Sequence, residues 1–182
     1  MLVKTHVISS IVLSELIFIP ILISGLIPYN PIIVITFLTF LIFGSILPDI
    51  DEPNSTISKI LPSFISSFIN FIFGHRGFTH NIFGILIMPV IFTFLFSLYF
   101  ENYYVIYVAI LSGYTYHILG DLVTYAGIKS FWGFNEDISR LKFLGSFLVG
   151  SSKEVYIYTF LTIFQMILIL SILVLDSSLL FL

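Results

Sequence analysis

Five long apolar stretches constrain this chain more than any other feature of its sequence. A helix needs about 20 apolar residues to cross roughly 30 Å of hydrocarbon. The five stretches are Val7 to Ile27, Pro31 to Pro48, Ile82 to Phe100, Tyr103 to Tyr125 and Val155 to Leu175. Only 9% of the residues are charged, against about 25% in a soluble domain, so a soluble globule is excluded. The sequence therefore predicts an all-α, polytopic membrane bundle of about five transmembrane helices, built as a single domain over residues 1–182.

A sixth apolar segment, Ser63 to Phe73, is too short to cross a membrane. Its aromatic residues Phe64, Phe68 and Phe71 recur at helical spacing on one face. A short helix with such a face is typical of the membrane interface. We therefore expect one short interfacial helix beside the spans, with a re-entrant helix as the alternative.

The basic residues indicate how the bundle is oriented. If the five spans alternate in direction, the N-terminus and the long loops Asp49 to Asn81 and Ala126 to Glu154 lie on one side. All seven basic residues lie on that side: Lys4, Lys59, Arg76, Lys129, Arg140, Lys142 and Lys153. The positive-inside rule makes that side cytoplasmic.

Two absences narrow the chemistry. The sequence contains no cysteine, which excludes disulfides, thiolate metal sites and cysteine nucleophiles. The formal net charge is −3 and the basic residues are scattered singly, so we expect no nucleic-acid partner.

The histidines and most of the aspartates fall at the predicted cytoplasmic ends of the spans. They are His6, Asp49, Asp51, His75, His80, His117 and Asp121. His117 and Asp121 are four residues apart within a span, so they share one helix face and can bind one metal. A hydrogen-bonded pair that locks two helices is the alternative for these two residues.

The segment from Gly74 to His80 carries two further candidate ligands, His75 and His80. Histidines five residues apart do not share a helix face, so a turn must orient one of them, and Gly74 and Gly77 allow such a turn. Thr79 then suits the N-cap of the third span. An ordinary loop for this segment, a solvated turn for the two aspartates at 49 and 51, and an interfacial position for the histidine at 6 are the alternatives.

Seven nitrogen and oxygen ligands exceed the four of one tetrahedral zinc and suit two or three ions. Ligands of this kind without sulfur favour zinc, manganese or iron, with zinc preferred. Glu15, near the face of the first span opposite His6, has no assigned role.

The ordered motifs resemble a known family. They are Thr5-His6, Leu47-Pro48-Asp49-Ile50-Asp51, His75-Arg76-Gly77-Phe78-Thr79-His80 and His117-Ile118-Leu119-Gly120-Asp121-Leu122-Val123-Thr124. In this order, from about His6 to Trp132, they resemble the LexA-regulated inner-membrane family of metal-dependent hydrolases. The ligand pattern is similar to that of zinc-dependent phospholipase C. The resemblance implies a metal-dependent hydrolase of the phosphoester class.

The predicted function is hydrolysis of a lipid-type phosphate, a phospholipid or an isoprenoid phosphate, at the cytoplasmic membrane face. Arg76 and Asp51 are the candidate catalytic residues, and the planar fork of Arg76 suits a phosphate. A positive-inside anchor is the alternative role for Arg76. A non-catalytic metal carrier or a metal-stabilised scaffold is the alternative function, but a carrier needs polar residues through the whole membrane thickness.

Overall fold

The computed structural model describes residues 1–24, 30–74, 76–128 and 147–179. The helices are α1 (Val3–Ile23), α2 (Pro31–Ile46), α3 (Thr56–Ile60), α4 (Ser63–Phe73), α5 (Ile82–Ser97), α6 (Tyr103–Val123) and α7 (Ser152–Leu179). Short 3₁₀ turns cover Leu47–Asp51 and Phe78–His80. Within the described ranges, extended pairing is limited to one isolated bridge between Thr124 and Phe147. The all-α prediction is confirmed.

Four helical segments are long and apolar enough to span a membrane. They are Val3–Ile21, Pro31–Asp51, Tyr103–Val123 and Ser152–Ser171. The predicted membrane bundle is therefore confirmed as an architecture, although the segments differ in detail from the predicted ones. The first span begins at Val3 rather than Val7, so His6 lies inside α1 instead of preceding it.

The third predicted span, Ile82 to Phe100, is shorter than expected. The helix found there, α5, has 16 residues, which corresponds to about 24 Å at 1.5 Å per residue. Asn81 caps it by accepting hydrogen bonds from the backbone N–H groups of Phe83 and Gly84. The prediction of Thr79 as the N-cap was wrong, because the 3₁₀ turn Phe78–His80 delays the start of the helix by two residues.

Helices α2 and α6 approach each other backbone to backbone. A Cβ atom on Gly113 would lie 2.2 Å from the carbonyl oxygen of Leu41, and one on Gly44 would lie 2.5 Å from that of Ile110. Small residues allow this close approach, which drives helix packing in membranes. The two helices run in the same direction, so the end of α2 lies beside the end of α6.

The starts of the odd spans and the ends of the even spans meet at one end of the bundle. The backbone N–H of Leu2 donates to Glu154 Oε1 at the start of α7 (2.6 Å). His80, just before α5, faces Asp49, just after α2. Spans of alternating direction predict this arrangement. It brings together ionisable side chains from α1, the two 3₁₀ turns, α6 and α7.

The predicted interfacial segment is a helix, α4, with the predicted bounds. Phe64, Phe68 and Phe71 are 70%, 63% and 89% exposed, on its outer face. Ile65 and Ile69 pack against the core of the bundle on the opposite face. The helix therefore presents an exposed aromatic surface at the end of the bundle where the ionisable residues gather.

Candidate metal centre

The pair predicted on α6 is buried and shares one helix face. His117 Nε2 lies 3.8 Å from Asp121 Oδ2, and both side chains are 1% exposed. His117 Nδ1 lies 2.7 Å from the carbonyl oxygen of Ser45 on α2, so the Nδ1–H donates to that oxygen. In a neutral imidazole, the form that binds metals, the other ring nitrogen, Nε2, is then unprotonated.

His80 is held in a similar way from its Nδ1 side. His80 Nδ1 lies 3.0 Å from Thr79 Oγ1, and the Thr79 hydroxyl donates to Asp51 Oδ2. This chain of hydrogen bonds has one consistent direction, from the imidazole through the hydroxyl to the carboxylate. It makes His80 Nδ1 a donor and directs Nε2 towards Asp49 and Asp121.

Two imidazole nitrogens and two carboxylate oxygens thus face one another. His80 Nε2 lies 3.7 Å from Asp49 Oδ1 and 3.6 Å from Asp121 Oδ2. His117 Nε2 lies 3.6 Å from Asp49 Oδ1. These separations exceed the roughly 2.7–3.2 Å of an N–H···O hydrogen bond. They are close to the edge of a tetrahedral zinc site, about 3.3–3.4 Å for ligand bonds of about 2.0–2.1 Å.

His6, on α1, is the fifth side chain of this cluster, beside Asp49, His80, His117 and Asp121. Its Nε2 lies 3.3 Å from Asp121 Oδ1, and its ring stacks on that of His117 with centroids 3.7 Å apart. Two overlapping sets therefore have ligand atoms within 4.8 Å of one another: His6, His117 and Asp121, and Asp49, His80 and His117. The structure brings together five of the seven predicted ligands.

Asp51 belongs to neither of these sets. Its carboxylate is fully buried and accepts hydrogen bonds from the backbone N–H of Arg76 at 2.8 Å and from the Thr79 hydroxyl. Asn70 on α4 donates to its backbone carbonyl at 2.7 Å. Asp51 thus lies where a carboxylate orients a ligating histidine, here through Thr79.

Arg76 lies beside the group. Its Nη2 is 3.1 Å from Asp121 Oδ2, and its Nη1 donates to the carbonyl oxygen of Gly127 at 2.7 Å. The backbone of Arg76 has a φ of 58°, which is uncommon for a residue other than glycine. The side chain is 17% exposed, so the guanidinium lies at the edge of the cluster of histidines and aspartates and is partly accessible from outside it.

The glycines predicted to form the turn do so. Gly74 has a φ of 66°, and a Cβ atom on Gly77 would lie 2.0 Å from the carbonyl oxygen of Phe73. The remaining predicted ligand, His75, lies outside the described residues, as do the basic residues Lys129, Arg140 and Lys142.

Three supporting groups were missed from the sequence. The carbonyl of Ser45 has no sequence signal, because every residue carries one. Thr79 was assigned to a helix cap rather than to the contact between His80 and Asp51. Glu154 is fully buried and accepts from Leu2 N and from Gly150 N, each at 2.6 Å. Its position in the first turn of α7 was the only available signal, since acidic residues favour helix N-termini.

The donor set fits a divalent metal. Within the described part of the chain, His117 Nε2 is buried and has no hydrogen-bond partner. It faces the carboxylate of Asp49. When the imidazole is neutral, its unprotonated Nε2 and the carboxylate oxygen are both hydrogen-bond acceptors. A cation between them would balance both, and imidazole and carboxylate ligands suit zinc, manganese and iron.

Comparisons with known proteins agree with the membrane architecture. The family model described as YdjM inner membrane protein matches residues 1–179. The inner membrane protein YdjM of Escherichia coli (strain K12) is 36% identical over 94 residues, which cover 50% of this chain and 46% of that protein. The YdjM protein of Shigella flexneri matches to the same extent. The alignment thus spans about half the length of these curated relatives. No solved structure matches the chain.

Proposed function

The chain belongs to the YdjM inner membrane protein family, and we propose that it is a membrane-bound, metal-dependent hydrolase of phosphoesters. The observation that carries the proposal is the pair of buried imidazoles whose Nδ1 atoms are both engaged, so that both Nε2 atoms face the half-buried carboxylate of Asp49 and the buried carboxylate of Asp121. Such an arrangement costs free energy in an apolar environment unless a cation is bound. A purely structural polar cluster would gain more from donors paired with acceptors.

The proposed metal is zinc, with manganese or iron as alternatives. Asp49, His80, His117 and Asp121 are its proposed ligands. His117 is common to both ligand sets, but its Nδ1 is engaged by Ser45. One nitrogen binds one metal, so the two sets cannot each hold an ion through His117. A second ion would use His6 and Asp121 Oδ1, where it would replace the N-terminal ammonium of Met1 that contacts this oxygen at 2.6 Å, with further ligands such as His75.

A divalent metal held by these ligands would supply a Lewis acid and would activate water as a nucleophile at neutral pH. The chain contributes the remaining parts of the proposed reaction. Arg76 directs its guanidinium at Asp121 Oδ2 from the border of the site. A phosphate bound beside the metal would be within reach of the same planar fork, which matches phosphate geometry. Asp51 positions Arg76 through its backbone N–H and His80 through Thr79.

The proposed substrate is a lipid-type phosphate. The aromatic face of α4 is exposed, and the helix leads directly into the turn that carries Arg76. Asn70 joins α4 to the Asp51 backbone. A helix with an exposed aromatic face lies at the interface between headgroups and acyl chains, where lipid phosphates are found. The proposed side is cytoplasmic, from the distribution of Lys and Arg.

An activity screen tests this proposal. Purified protein in lipid should hydrolyse lipid phosphates, and His117→Ala should abolish the reaction, while Glu101→Gln, which changes an exposed carboxylate between α5 and α6, should not. Metal binding without turnover of any phosphoester would instead support a metal carrier or a metal-stabilised scaffold. Equal or better turnover of water-soluble phosphodiesters would contradict the lipid substrate.

A further inference from the structure

Glu15 is an acidic residue inside a membrane span and takes no part in the metal centre. Its Oε1 accepts a hydrogen bond from Gln165 Nε2 on α7 at 2.7 Å. The two residues lie within the spans Val3–Ile21 and Ser152–Ser171, about 18 Å and 20 Å along their helices from the first residues. The contact therefore lies in the hydrocarbon region, away from the bundle end that carries the histidines.

One side-chain oxygen of each of these two residues lacks a partner among the described residues. Glu15 Oε2 and Gln165 Oε1 are both buried, and neither has a hydrogen bond to any of the described residues. If Glu15 were a carboxylate, both of these atoms would be acceptors and no proton would lie between them. A charged group and unsatisfied acceptors in hydrocarbon are each costly.

Among the described residues, the helices around this contact offer no compensating cation at this depth. Helix α1 packs against α2, α6 and α7. Helix α2 contains no charged residue. The ionisable residues of α6, His117 and Asp121, lie near its C-terminal end, in the candidate metal centre. The basic residues nearest in sequence, Lys4 on α1 and Lys153 on α7, lie in the first turns of their helices.

We propose that Glu15 is a neutral carboxylic acid that forms a two-hydrogen-bond pair with the carboxamide of Gln165. Gln165 Nε2 donates to Glu15 Oε1, and the protonated Glu15 Oε2 donates to Gln165 Oε1. A carboxylic acid and a carboxamide have complementary edges, so one proton satisfies both oxygens and removes the charge. The pair joins the first and last spans and gives Glu15 a role that does not depend on the metal.

Infrared spectroscopy of the full-length protein in lipid at neutral pH tests the protonation state. Wild type should show a carboxylic acid carbonyl band above the amide I region, and Glu15→Gln should lose it. Glu101→Gln, which alters an exposed loop carboxylate, should retain the band and lose only carboxylate absorption. Loss of carboxylate absorption alone in Glu15→Gln would overturn the proposal.

A second variant tests the pairing with Gln165. Gln165→Met has a similar volume and cannot donate a hydrogen bond, so the Glu15 acid band should move to higher frequency. The thermal midpoint of unfolding should fall in Gln165→Met and stay unchanged in Glu15→Gln, in which two amides can pair. An acid band at the wild-type frequency in Gln165→Met would show that Gln165 is not the partner.

Discussion

At the scale of single residues, the candidate metal centre depends on groups that fix imidazole tautomers. Ser45 and Thr79 engage the Nδ1 atoms of His117 and His80. Such supporting partners typically change metal affinity by about 10–100-fold when they are removed. Substitutions of these supporting residues therefore test the metal site as well as substitutions of the ligands do.

Thr79→Val should weaken metal binding by about 10–100-fold. Valine keeps the shape of threonine but has no hydroxyl to connect His80 Nδ1 with Asp51. Thr79→Ser retains that hydroxyl and should bind metal as wild type does. Competition with a chromophoric chelator measures the affinity. If the valine and serine variants bind equally well, the hydroxyl does not orient the ligand.

Arg76→Lys should lower phosphoester turnover by about 10²–10³-fold, the usual effect of losing one stabilising donor. Lysine has one nitrogen in place of the two that contact Gly127 O and Asp121 Oδ2, and it lacks the planar fork that matches phosphate. Metal content should be unchanged, because Arg76 is not a ligand. Steady-state assays with matched metal analysis measure both effects. Wild-type turnover in this variant would remove Arg76 from the proposed mechanism.

At the scale of helices, the contact between α2 and α6 determines where the ligands stand. Gly113 faces the backbone of α2 at Leu41 and Ser45, and the carbonyl of Ser45 holds His117. Helix packing and imidazole orientation are thus coupled through one short segment of α2.

Gly113→Ala should lower both the thermal stability and the affinity for metal. Its Cβ atom would lie 2.2 Å from Leu41 O and 2.7 Å from Ser45 N, so the helices must separate, at a cost of about 1–3 kcal/mol. Leu119→Ala on the exposed face of the same helix serves as the control. Thermal unfolding in detergent with and without metal measures the effect. A variant as stable as this control would contradict the close packing.

The sequence was sufficient for the element types and for much of the site. Apolar length predicted the spans, and the aromatic spacing predicted α4 with its observed bounds. Alternating span direction predicted which ends meet, and five candidate ligands come together there. The start of α1 and the short length of α5 were not predicted. An apolar run does not show at which residue a helix begins, and at α5 that residue is set by the N-cap Asn81. The role of Thr79 depends on a contact with Asp51, which is distant in sequence.

At the scale of the whole molecule, the orientation in the membrane decides which compartment the site faces. Asn54 and Ser152 are exposed at the end of the bundle that carries the ligands, and Asn102 is exposed at the opposite end. The distribution of basic residues predicts that the ligand end faces the cytoplasm.

Single cysteines at these positions test the orientation, because the chain has no cysteine of its own. In intact cells, an impermeant thiol reagent should label Asn102→Cys and leave Asn54→Cys and Ser152→Cys unlabelled. All three should react after the cells are opened. The reverse pattern in intact cells would place the site outside the cytoplasm.

The metal content of the purified protein shows whether the clustered histidines and aspartates hold a metal. Wild type should contain at least one equivalent of a divalent metal, and His117→Ala and Asp121→Ala should each lose it. Glu101→Gln should keep it, because that carboxylate lies at the other end of the bundle. Two results would contradict a metal at these residues. One is wild-type protein that remains metal-free after incubation with zinc, manganese or iron, and the other is unchanged metal content in both ligand variants.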